Sequence, residues 1–284
     1  MNPAKLWDRL FAIATGFSAL LCLFVLVSIL TAIVYHGFSK IDLSFLFTET
    51  TGAGFSGGIR YQIIGTVILI TTAVVVVTPF AVALSLSQTA FVRSKFIKES
   101  LQLGIQMLNA TPSIVFGILG FLFFVKELRL EKSWVSGGIV LGLMILPTMT
   151  VALSERLHSI PSHYIQQAHA LGFDGEQLTW AILLPYGWGG LLTGIVLGLA
   201  RAAGETAPIM LTAAVFSGAT IPTGIKDSPV LALPYHIFNL AQDVYSPDAT
   251  AVAWATAAVL TLLVLMVSAF AIPFRSRSHE EAKK

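Results

Sequence analysis

Of 284 residues, 55% are hydrophobic and only 11% are charged, where a soluble globular chain carries about 25% charged residues. So little charge cannot coat a folded core with hydrated surface, which excludes an ordinary soluble domain and implies a surface facing lipid. The formal net charge is +2, and the basic residues are scattered, with no dense basic stripe interleaved with aromatics of the kind that binds nucleic acid.

Six stretches reach the roughly 20 apolar residues that a helix needs to cross a bilayer core. They are 10–35, 63–90, 103–125, 134–153, 189–216 and 250–274. None alternates in segments of about 10 residues, as barrel strands do, so the chain reads as an all-α integral membrane protein with six transmembrane helices. Six spans put both termini on one side. If that side is the cytoplasm, its segments carry Lys5, Arg9, Arg93, Lys95, Lys98, Arg156, Arg275, Arg277, Lys283 and Lys284. The outer segments carry Lys40, Arg60, Lys126, Arg129, Lys132 and Lys226. The excess of positives favours cytoplasmic termini.

The first span follows Lys5 and Arg9, as a secretory signal would. Its apolar run is much longer than a signal's 7–15 residues or so, and no small-x-small site closes it, so it reads as a retained helix. It holds the lone cysteine, Cys22, a small apolar filler; no Cys/His spacing reads as a metal site.

The third span is interrupted at Asn109-Ala110-Thr111-Pro112-Ser113. Pro112 kinks a helix. Asn109 and Ser113 stand one turn apart, hence on one face. They either hydrogen-bond to neighbouring helices or line a pore at the kink.

A long polar interval, 154–188, separates the fourth and fifth spans. Tyr164, Ala168 and Leu171 recur at helical spacing and predict a short amphipathic helix with one apolar face. Gly172 can take the left-handed conformation that stops it. Asp174 or Gly175 opens the next helical segment, and Pro185 limits that segment. A short helix held between two spans either rests on the headgroups or transmits the rigid-body motion of a partner that grips it.

The fifth span contains Arg201 and Glu205, the charges well inside a span. An intramembrane charge costs on the order of 3 kcal/mol at mid-helix and usually faces a polar path or a partner. Four residues apart, the two share a face and can neutralise each other as a structural pair. Alternatively, Arg201 meets an anion, because guanidinium matches phosphate oxygens with parallel hydrogen bonds. Glu205 would then orient Arg201 and keep the anion from binding too tightly. Ala202, Ala203 and Gly204 allow close approach, and Pro208 frees a carbonyl one turn back.

The next interval, 217–249, carries Pro222, Pro229, Pro234 and Pro247, which argue against one long helix. Lys226, Asp227, Asp243 and Asp248 give it charge, either as a solvated connector or as a docking surface. The tail 275–284 reads as a basic stop after the last span. No G-x-x-x-x-G-K-[ST] phosphate loop occurs anywhere, so nothing here cradles a nucleotide.

The spacing Ala168, Gly172, nine residues, Ile182-x-Leu184-Pro185 resembles the cytoplasmic E-A-A-x-x-x-G-x9-I-x-L-P loop of ATP-binding-cassette importer permeases. Gln166 and Gln167 replace that pattern's glutamate and first alanine. The run Ala200-Arg201-Ala202-Ala203-Gly204-Glu205-Thr206-Ala207-Pro208 resembles the A-R-A-x-G-E-T-A-P signature of the phosphate-importer permease of the PstA type. Thr111-Pro112-Ser113-Ile114-Val115-Phe116-Gly117 is similar to its x-P-S-I-V-[YF]-G run. Segments 233–239 and 246–248 also look like this family.

The resemblance implies a MetI-like permease core over 61–274, preceded by a first helix and outer loop over 1–60. It implies a bacterial inner-membrane location. It implies a non-enzymatic subunit without cofactors that passes inorganic phosphate into the cytoplasm. Partners implied are a sister permease in a heterodimer, two ATP-binding subunits and an extracytoplasmic phosphate-binding protein. The substrate path is expected at Arg201, Glu205, Thr206, Asn109 and Ser113. ATPase coupling is expected at Gln166, Gln167, Ala168, His169, Ala170, Leu171 and Gly172. A sulfate or other oxyanion permease is the alternative of the same class. A self-contained secondary transporter would tend to show internal repeats, and no clear repeat is seen.

Overall fold

The structure, a computed structural model, describes residues 3–51, 54, 56–92, 94–243 and 246–281, without the side chains of 3–6, 9, and 270–281. The basic side chains assigned above to Lys5, Arg9, Arg93, Arg275, Arg277, Lys283 and Lys284 therefore lie outside the described residues.

The chain opens with α1 (Pro3–Gly37). It is apolar around its whole circumference, and its membrane-crossing window has no buried residue, as lipid-facing helices require. Its end meets the last helix closely: a side chain at Gly37 would lie 2.7 Å from the Trp254 carbonyl oxygen. A short helix, α2 (Leu43–Phe47), follows. The Asp42 side chain caps it by accepting from the Phe45 N–H at 2.6 Å. That bond, with one from Ser44, holds the Asp42 carboxyl below its usual range. A small antiparallel ladder pairs β1 (Thr50–Thr51) with β2 (Ser56–Gly57), Thr50 opposite Gly57.

The core is built from three long helices. They are α3 (Arg60–Leu86), α6 (Trp134–His158) and α9 (Leu184–Gly204). Between α3 and α6 lie α4 (Lys95–Ala110) and α5 (Ser113–Gly120). The α6–α9 contact is set by a stripe of small residues. Gly187, Gly190, Gly194 and Gly198 recur every three or four residues. Side chains at Gly194 and Gly198 would lie 3.0 Å from the Met149 Cα and 3.2 Å from the Ile145 Cδ1. Lipid supplies no hydrophobic drive between helices, so close backbone approach and dispersion hold them together. Met144, Ile145 and Met149 of α6 are buried in the core, with Leu69 and Ala73 of α3 against the other side of α6.

Among the described residues, five helices are long and apolar enough to cross a membrane. A sixth span arises only if α4 and the stretch Ser113–Glu127 count as one, and these are bent by 96°. This corrects the expectation of a single helix over 103–125. The cause is local. Proline disfavours the helical region for the residue before it; Thr111 is extended (φ −71°, ψ 127°) and Pro112 begins the next helix as its cap.

The expected fifth span, 189–216, is also divided. α9 stops at Gly204, Glu205 is extended (φ −78°, ψ 130°), and α10 (Ala207–Thr212) starts afresh. Pro208 thus opens a new helix, where its missing N–H is harmless, and does not distort an existing one. The interval 217–249 contains α11 (Leu233–Leu240), which is largely core. The Leu233 N–H donates to the Thr66 Oγ1 at 2.9 Å. α12 (Pro247–Glu281) closes the fold.

Candidate functional site

Two places carry the residues singled out by sequence. The first is the turn between α6 and α9. It begins with α7 (Ser162–Ala170), whose end is a glycine-terminated cap. Gly172 has φ +81°. The Phe173 N–H donates to the Ala168 carbonyl and the Gly172 N–H to the His169 carbonyl, both at 3.0 Å. These are the two bonds of a Schellman motif. α8 (Gly175–Leu178) then starts at Asp174 with a reciprocal cap. The Gln177 N–H donates to the Asp174 Oδ1 at 2.7 Å and the Asp174 N–H donates to the Gln177 Oε1 at 3.0 Å. A wide π-helical turn, Thr179–Leu183, leads into α9 with Pro185 in its first turn.

Of the residues expected here, only Ala168 is buried; Gln166, Gln167, His169, Ala170, Leu171 and Gly172 are exposed. Leu171 departs from expectation. It does not share the inward face of Tyr164 and Ala168 but is 77% exposed, because it is the capping residue where the helix unwinds. Residues 166–172 therefore present an exposed surface without Asp, Glu, Lys or Arg, with Leu171 as its apolar tip.

The second place is the double break where α4 meets α5 and α9 meets α10. Arg201, in the last turn of α9, donates from Nη1 to the Asn109 Oδ1 at 3.2 Å and to the Thr148 Oγ1 at 3.5 Å. Its Nε lies 4.0 Å from the Glu205 Oε1, an ion-pair separation but too long for a hydrogen bond. Asn109 and Thr148 thus orient the guanidinium in place of Glu205, the expected partner. The C-terminal end of α9 also favours a cation in this turn. Arg201 is 33% exposed and Glu205 19%, so neither charge is sealed away.

Asn109 and Ser113 do not share a helix face, since the 96° bend falls between them. Ser113 begins α5, and Thr206 stands just before α10 without a side-chain capping bond. These two short helices pack together where a side chain at Gly117 would lie 3.0 Å from the Pro208 Cα. Among the described residues, neither the Ser113 nor the Thr206 side chain is hydrogen-bonded to Arg201. Thr148 was missed by sequence reasoning. Its signal was a hydroxyl beside Pro147, in a span whose other polar side chains are the hydroxyls of Ser136 and Thr150.

The result is a half-open polar point at the meeting of two broken helices, with one guanidinium held by neutral oxygens and a carboxylate kept just outside bonding range. Such a cation can turn unspent N–H groups toward an anion.

Residues 81–275 match the family model described as binding-protein-dependent transport system inner membrane component. The phosphate transport system permease protein PstA of Yersinia pestis is 30% identical, over 96% of this chain and 91% of its own length. The probable PstA of Methanocaldococcus jannaschii is 29% identical over the full length of both chains. In fold, the chain resembles the inward-facing MetNI methionine ABC transporter, with a TM-score of 0.59 at 15% identity over 78% of this chain and 94% of that one.

Proposed function

The chain belongs to the binding-protein-dependent transport system inner membrane components, and we propose that it is the permease subunit of an ATP-driven importer that passes inorganic phosphate through the Arg201 point. As a permease it is not itself an enzyme. The observation that carries the reading is the placement of Arg201 at a double helix break, oriented by Asn109 and Thr148. Relatives named as phosphate transport permeases support phosphate as the cargo.

The guanidinium takes phosphate oxygens through paired N–H donors. Glu205, four ångströms off, weakens that hold enough for release, as conduction requires. Ser113 and Thr206, at the starts of α5 and α10, supply hydroxyls along the same path. The exposed 166–172 surface is the seat of a separate ATPase. Its motion passes to α6 and α9, the two core helices that flank it, and shifts the break. Leu171 enters the ATPase as an apolar plug, and Gln166 makes neutral hydrogen bonds where related loops use a charge.

The rest of the reading concerns assembly. The permease domain spans 61–274, a sister permease completes the pathway as a heterodimer, and two ATPases bind below. A phosphate-binding protein docks on the charged parts of 217–249, and both termini face the cytoplasm of a bacterial inner membrane. Reconstitution of the chain with its ATPase, sister permease and binding protein tests this. ATP-dependent uptake of phosphate in preference to sulfate is expected. Preferred sulfate uptake, or uptake driven by an ion gradient without ATPase, overturns it.

A further inference from the structure

At the end of α6 that leads into α7, a polar cleft of about 470 Å3 opens between α4, α6 and the turn after α3. Gln88 comes from that turn, Lys98, Gln102 and Gln106 from α4, and Ser154 and Glu155 from α6. Two observations separate the cleft from a simple packing gap. Ser154 is only 9% exposed, yet its hydroxyl has no hydrogen-bond partner. The Gln88 amide nitrogen is buried and unpartnered as well. Buried polar groups are nearly always satisfied, so both await something that the isolated chain does not supply.

Neighbouring groups are already committed. The Thr150 hydroxyl donates to the Leu146 carbonyl at 2.8 Å, and the His158 Nδ1–H donates to the Ser154 carbonyl at 2.7 Å. The unspent groups all include N–H or O–H donors: the Ser154 hydroxyl, the Gln88 amide nitrogen and the half-buried ammonium of Lys98. Among the described residues, Lys98 has no carboxylate within ion-pair distance. A hydroxyl, an amide and an ammonium gathered in one cleft suit a ligand rich in acceptors.

The cleft also lies in line with the Arg201 point. α4 carries Lys98, Gln102 and Gln106 at four-residue spacing, one continuous face, and Asn109 follows on the same helix. α6 carries Ser154 six residues beyond Thr148, about 9 Å along the axis. The same two helices thus bear Arg201's partners and, about two turns on along α6 and three along α4, a second set of donors. Glu155 is exposed on the cleft wall, where its charge opposes tight retention of an anion.

We propose that this cleft is a second, weaker oxyanion site that receives the anion after Arg201 releases it, with Lys98, Ser154 and Gln88 as its donors. The proposal rests on the reading that this chain conducts phosphate.

Val151 lines the cleft and is exposed, so it can report occupancy without touching the proposed donors. Val151→Cys in a Cys22→Ala background, within the assembled importer, is labelled by a small water-soluble thiol reagent with and without inorganic phosphate. At phosphate about four times its dissociation constant, single-site occupancy slows labelling about fivefold. Lys98→Gln or Ser154→Ala in that background raises the phosphate needed for half-protection, about tenfold for the lysine, while labelling without phosphate is unchanged. Labelling that no phosphate concentration slows, in a complex that still takes up phosphate, overturns the site and leaves the phosphate reading standing. Protection by sulfate and not by phosphate keeps the site and overturns the cargo. Protection indifferent to both substitutions overturns the assigned donors.

Discussion

Replacing Arg201 by glutamine separates a transport role from a structural one. Its Nε lies 4.0 Å from the Glu205 carboxylate, which at an effective dielectric of about 20 is roughly 4 kcal/mol of bare attraction. Both side chains keep solvent contact, and screening with side-chain entropy leaves about 1 kcal/mol net. The pair is therefore a small part of the fold, and the Arg201→Gln chain should still assemble. Loss of a paired anion contact is different in scale. It costs about 3 kcal/mol, or roughly 100-fold in rate. Initial phosphate uptake is measured in vesicles with equal subunit abundance for Arg201→Gln, Glu205→Gln and the double variant. Arg201→Gln should fall by that factor, and the double variant should be no better than roughly tenfold above it, since neutralising Glu205 removes a repulsion but supplies no donor. Recovery of the double variant to wild-type uptake would refute the reasoning, because it would mean that Arg201 serves only to balance Glu205.

Two further outcomes follow from the backbone and from burial. A side chain at Gly172 would meet nothing within 4 Å, but its φ is +81°; a left-handed residue other than glycine costs about 1–2 kcal/mol, less for asparagine. Gly172→Val should lose ATPase co-purification and phosphate-stimulated ATP hydrolysis while Gly172→Asn largely keeps both, and identical behaviour of the two would dismiss the backbone argument. His236 is stacked on Phe216 with ring centroids 5.7 Å apart, and burial pushes its imidazole down to about 4 from 6.5. The folded chain thus resists a proton that the unfolded chain accepts. Stability is full above pH 6.5 and falls as pH drops toward 4, by at most about 3 kcal/mol. His236→Phe should flatten thermal stability across that window, and an unchanged pH profile would discard this assignment.

What could be read from the chain alone was whatever depends on near neighbours or on composition. Apolar length announced the spanning helices, because a bilayer leaves no other way to satisfy so many backbone groups. The cap at Gly172 and the helix start at Asp174 were legible for the same reason: each bond there joins residues at most five apart. The Arg201–Glu205 pairing was legible as a four-residue spacing, and it proved the longest of these three Arg201 contacts.

Prolines show where reading stopped. Pro79 and Pro147 sit inside unbroken helices, whereas Pro112 stands at a 96° bend. The residue type is the same in all three; the difference lies in what the next segment can pack against. After Pro112, α5 finds α10 through Gly117, with room at that glycine for Pro208, and this contact rewards the bend. Likewise, α9 ends at Gly204 because α10 has its own place beside α5 and α6. Composition and local spacing thus determined that this chain lives in a membrane, where its turns fall and which charge is costly. Only the tertiary structure decided that the charge is held by Asn109 and Thr148, 92 and 53 residues away. Hydrogen bonds act over about 3 Å, and at such separations in the chain only packing brings the partners that close.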